Sequence, residues 1–173
     1  MKRTLTFLLL LIAIVSKGQD LSLKELINYV VGGTWTSINE DNDGEPEGYK
    51  SYYMNFSIWS DDESVIGTIY GVKNNGDTIQ LIEVWNFIDK ANQSIFYVHR
   101  TTWGSYATGT IQTYEGKHID IQFKSTTAEG QQYFTRDLHY IEERNRMRAV
   151  TYHKSKEGEE WKEANRSEWT RTY

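Results

Sequence analysis

The stretch VVGGTWTS, Val30 to Ser37, decides how the rest of the chain is read. Just upstream, Leu23, Leu26, Ile27 and Val30 recur at helical spacing, and Ser22 and Glu25 stand as in a capping box. Gly32 and Gly33 then end the helix, since glycine takes the left-handed backbone that closes a helix C-terminus. Trp35 follows at once between two threonines, a residue type that favours extended chain. The question is whether this tryptophan anchors a core or belongs to a binding surface.

Downstream of Trp35 the pattern is extended throughout. The runs TWTSIN, YKSYYMNFSIW, SVIGTIYGVK, TIQLIEVWNFI and SIFYVHRTTW are followed by YATGTIQTY, HIDIQFKST, QQYFTRDLHYIEE, RMRAVTYHK and EWKEANRSEWTRTY. Turn signals separate them, among them the Asn-Gly pair in NNGD, Asn74 to Asp77, and no helical period intervenes. Ile79, Leu81, Trp85 and Phe87 alternate on one predicted face of their strand, as do Ile119, Ile121 and Phe123 on theirs. In YKSYYMNFSIW the set containing Tyr52, Met54 and Phe56 is the core-facing one. About ten strands in one open sheet would leave two long edges, and closure removes them. The expected fold is all-β: an up-and-down antiparallel barrel of about ten strands with a short N-terminal helix.

Composition supports this. The chain holds 6 Trp, 12 Tyr and 6 Phe but a single proline, Pro46, which suits long strands. Residues 1–18 read as a secretory leader: Lys2 and Arg3, an apolar run from Phe7 to Val15 too short to span a bilayer, then Ser16 and Gly18 at peptidase spacing. Residues 19–173 form one domain. The predicted location is secreted or periplasmic, with no membrane anchor after cleavage. The formal net charge of −5, with no basic patch, argues against nucleic acid as a partner. The absence of cysteine excludes thiol chemistry, cysteine metal sites and disulfide staples.

A short helix, a Gly-x-Trp (Gly33-Thr34-Trp35) opening the first strand and an antiparallel meander together resemble the lipocalin-like, or calycin, barrels. The stretches VWNFIDKANQSIFYV, GSYATGTIQTYEGKHIDIQF and EWTRTY are similar to the lipocalin-like domains of secreted bacterial proteins. The resemblance implies that Trp35 plugs the closed end of a barrel. It also implies that an arginine of the last strand, Arg166 or Arg171, packs on the indole ring. A small-molecule cavity is the further implication.

Candidate cavity residues are Glu83, Trp85, Tyr97, His99, Trp103, Arg136 and His139. Glu83 carries the argument, because it shares a predicted face with four apolar residues. A carboxylate inside a barrel must be paired, protonated or facing a ligand. The competing readings are a buried pair with Arg100, Arg136 or Arg148, or an outward face. The four histidines, His99, His118, His139 and His153, show no metal-ligand spacing, and each reads first as a hydrogen-bonded strand residue. No cofactor is selected by any motif, although some small lipocalin-like barrels hold haem through one histidine. Asn39, Asp41, Asp43 and Gly44 partly match a calcium loop, but Lys50 stands where its bidentate glutamate should, so a solvated acidic loop is expected. No nucleophile elbow, P-loop or zinc-protease motif is present.

The function expected from sequence is non-catalytic binding of a small, hydrophobic or amphipathic molecule inside the barrel. Two alternatives stay open. One is a hydrolase or isomerase that uses Glu83 with a barrel histidine as an acid–base pair. The other is a protein-interaction module with a filled barrel.

Overall fold

The computed structural model describes residues 23–59, 64–92, 94–114 and 118–173. The expected leader and the Ser22 cap lie outside them. Helix α1 (Leu23–Val30) is followed by ten strands: β1 (Thr34–Ile38), β2 (Tyr49–Ile58), β3 (Ser64–Lys73), β4 (Thr78–Asp89) and β5 (Ser94–Thr101), then β6 (Tyr106–Tyr114), β7 (His118–Thr126), β8 (Gln132–Glu143), β9 (Arg146–Lys154) and β10 (Lys162–Thr172). Each strand pairs antiparallel with the next, and β1 pairs with β10, so the sheet closes into a barrel as expected.

One end of the barrel is sealed. Gly32 and Gly33 have φ of 88° and 82°, which turns the chain sharply from α1 into β1. A Cβ on Gly33 would stand 2.3 Å from the Thr172 carbonyl oxygen, so the β1–β10 seam also needs a glycine there. Leu26 and Val30 of α1 are buried against Val65, Val84, Ile95, Ile111 and Ile119, residues that converge from five strands at this end. Trp35 is 1 % exposed and packs with Met54 and Met147. Its Nε1 donates to the Val30 carbonyl at 3.2 Å, which ties strand to helix.

Arg171, not Arg166, is the arginine on that ring. It sits opposite Trp35 in the β1–β10 register, with its guanidinium carbon 4.7 Å from the indole centroid. Its Nη1 donates to the Tyr29 carbonyl at 2.6 Å and its Nη2 to the Arg144 carbonyl. One side chain thus satisfies a carbonyl of the last helical turn and one of the β8–β9 turn. Arg166 points outward and pairs with Glu163. Replacing Arg171 by Met should strand those buried carbonyls and lower stability by roughly 3 kcal/mol. Urea unfolding monitored by tryptophan fluorescence measures this, with Arg166→Met expected to leave the midpoint in place.

Candidate functional site

Above this seal the barrel is not filled. A cavity of about 290 Å³ lies along its axis, floored by Leu26, Val30 and Trp35. Ten strands make a wider barrel than the eight whose side chains just meet, so a void of this size follows from the strand number. Small residues on β9 and β10 leave part of the space: Ala149, Thr151 and Ser167 line it together with Met147, Asn165 and Trp169. On β3, Gly67 faces inward under the Phe56 ring, where a Cβ would come within 2.4 Å of the ring carbons.

The wall has two sectors. Ile69, Ile82, Val84, Ile111, Ile119 and Ile121 make an aliphatic one. Asn86, Tyr97, Asp137, His139, Thr151, Asn165 and Ser167, from β4, β5, β8, β9 and β10, make a polar one that the isoleucines of β6 and β7 interrupt. Asn86 lies opposite Tyr97 in the β4–β5 register, and Asp137 lies opposite Thr151 in the β8–β9 register. Thr151 hydrogen-bonds the Asp137 carboxylate, while Asp137 Oδ1 and Asn86 Oδ1 are enclosed with no partner. Buried acceptors are rarely left so, because each orphan costs about 1–3 kcal/mol.

Enclosure sets the protonation states. Asp137 and His139 are surrounded by the barrel wall, and the surface they retain faces the cavity. Burial pushes the Asp137 carboxyl up to about 6, against a smaller opposing effect from Thr151. Burial lowers His139 and His99 to about 4 each, so both imidazoles are neutral near neutral pH. Burial also raises the Tyr97 hydroxyl, and the nearby Asp137 charge adds to this. Tyr97 Oη is hydrogen-bonded to His99 Nδ1 at 2.8 Å. The polar sector therefore carries one ionisable charge, the Asp137 carboxylate.

The seven residues expected from sequence divide. Tyr97 and His139 line the cavity. His99 points inward behind Tyr97, packed edge-on against Phe123, and supports the wall rather than forming it. The expected interior placement of Glu83 and Trp85 is corrected. β3 and β4 slip register between Ile69 and Tyr70, whose partners are Ile82 and Gln80, so Leu81 is an extra residue in β4. The bulge reverses the alternation. Leu81 faces in before it, and Ile82, Val84 and Asn86 face in after it.

Glu83 consequently lies outside, bonded to Arg100 and to Gln80 Nε2. Trp85 is 40 % exposed, in an outer aromatic row with Trp59 and Phe87. Arg136 also points outward, where it grips the buried Asp120 carboxylate at 2.7 Å. Trp103 is exposed in the β5–β6 loop at the end opposite the seal. The acidic loop after β1 is tied down by a reciprocal amide pair between Asn42 and Asn74, at 2.8 and 2.9 Å. Among the described residues no three His, Asp or Glu side chains cluster as a metal site would require.

Sequence reasoning missed Asn86, Asp137 and Thr151 as lining residues. The signal for Asp137 was present: it is two residues before His139 and so shares its face. Asn86 was hidden by the bulge.

No protein-family model matches the chain, and no curated protein sequence matches it.

The folded protein holds the Asp137 proton more tightly than the unfolded chain does. Ionisation therefore weakens the fold as pH rises from 3.8 to about 6. Asp137→Asn should be more stable than the parent by roughly 3 kcal/mol at neutral pH. The gap should close once the pH falls below the ordinary aspartate value. His99 and His139 act in the opposite sense, losing stability as pH falls from 6.5 to about 4 in both proteins. Thermal melts of parent and variant across that range isolate the Asp137 contribution by difference. Glu83→Gln, on the outer surface, should leave the melts unchanged.

Proposed function

We propose that this chain is a secreted or periplasmic, lipocalin-like (calycin) binding protein that holds a small, partly apolar molecule in its barrel without turning it over. The observation that carries this reading is the internal cavity: an aliphatic wall facing a few convergent polar groups, sealed at one end by α1 and Trp35. Its volume of about 290 Å³ suits a small ligand, since pockets for larger drug-sized molecules run from about 300 to 1,000 Å³. The chain order of helix, Gly-x-Trp and ten-strand meander, with an arginine stacked on the tryptophan, supports placement among the lipocalin-like barrels.

An acid–base enzyme is the second reading, and one feature favours it. A carboxyl group that titrates near 6 inside a cavity can accept or deliver a proton. That role rests on Asp137, with Tyr97 and His139 as its neighbours on the wall, and no longer on Glu83.

Native mass spectrometry of protein purified from its own host, before and after denaturation, should release a small molecule. Ala149→Phe tests the cavity directly. Ala149 is 6 % exposed, lines the void and stands opposite His139 across the β8–β9 ladder. A benzyl group there should fill the space, lower ligand affinity at least tenfold and preserve cooperative unfolding. Unchanged ligand retention in a folded Ala149→Phe variant would place the ligand elsewhere.

A further inference from the structure

Resting on the binding reading above, we infer that the ligand is a small amphipathic monoamine whose ammonium group pairs with Asp137 inside the barrel.

Three features of the cavity point to a cation. First, Asp137 lines it without a basic counter-ion, because among the described residues no lysine or arginine lines the cavity. The inward arginine, Arg171, is held at the sealed end by the carbonyls of Tyr29 and Arg144 and is stacked on Trp35. Arg136, on the same strand as Asp137, is turned outward and committed to Asp120. An enclosed carboxylate without a counter-ion is costly, and a bound cation removes that cost.

Second, two buried acceptors on this wall are left unsatisfied. Asp137 Oδ1 and Asn86 Oδ1 are acceptors without partners, and His139 is uncharged. An ammonium carries three donors and no acceptor, which suits acceptors that lack partners. A carboxylate ligand would add acceptors to acceptors and a second negative charge to the first. A neutral alcohol would offer one donor only.

Third, the rest of the cavity is suited to the remainder of such a molecule. The aliphatic sector of Ile69, Ile82, Val84, Ile111 and Ile121 takes an apolar body, and the rings of Tyr97 and Trp169 flank the lumen, where a cation gains from aromatic faces. The chain's formal net charge of −5 attracts cations to the barrel and repels anions.

The test uses three probes of equal chain length: hexylamine, hexanol and hexanoate. Isothermal titration calorimetry at neutral pH compares their affinities for the full barrel and for Asp137→Asn. The expected result is hexylamine binding at least tenfold tighter than hexanol, with hexanoate weakest. Asp137→Asn, shown to be folded by its cooperative melt, should bring hexylamine to within about twofold of hexanol. Equal affinity for amine and alcohol in the parent protein, or tightest binding of hexanoate, would overturn the amine assignment while leaving the binding reading intact. A preference for amine that survives Asp137→Asn would overturn the role of Asp137. Failure of all three probes to bind, together with no released molecule from native protein, would overturn both readings.

Discussion

The barrel depends on one buried guanidinium. Arg171 is 3 % exposed, sits over the Trp35 ring and donates to carbonyls of α1 and of the β8–β9 turn. Its backbone N–H also reaches the Asn145 carbonyl at 2.8 Å. A planar, permanently charged fork can serve several acceptors at once, which lysine cannot do. The consequence is geometric. The helix, the first strand, the last strand and one hairpin turn are fastened at a single point, so the barrel closes and its lower end is plugged. Without disulfides, this polar knot and the aliphatic cluster around it hold the end shut.

Sealing one end separates two environments within the lumen. Below, Trp35, Met54 and Met147 pack tightly and α1 covers the opening. Above, the circumference of ten strands exceeds what the inward side chains of β9 and β10 can fill. The void is then bordered by polar groups that pay no penalty only if something meets them. Asp137 shows the tension most clearly: it is ionisable, enclosed and bonded by Thr151 alone. Such a group costs stability on a wall that isoleucine could complete.

Much of the fold was legible from residue order. The Gly-Gly pair announced the end of a helix, and φ near 85° at both glycines is the physical reason. Alternation placed Tyr52, Met54 and Phe56 inside correctly, because β2 is regular across its middle. In β4 the same reasoning failed. Apolar residues stand on both faces of TIQLIEVWNFI, so period-two counting has no contrast to work with, and one bulge at Leu81 inverts every inference downstream. Glu83 and Trp85 were drawn inside by that error and Asn86 was left out. Arg136 differs for another reason: its partner is not an inward glutamate but Asp120 on the outer face of β7, a pairing across strands that residue order does not show.

By itself the sequence determined the class of the protein. Glycine placement, strand periodicity and the lack of cysteine or proline-rich breaks depend on local backbone physics, which neighbours along the chain reveal. Only the tertiary structure decided which arginine meets Trp35, where the bulge lies, and that Asn86, Tyr97, Asp137 and His139 border one space. The first joins β1 to β10, and the last brings together residues of β4, β5 and β8, strands whose common lumen exists only after closure. The charge of the site is likewise a tertiary property. An aspartate in a strand is ordinary until a closed wall excludes water from it and leaves no cation beside it.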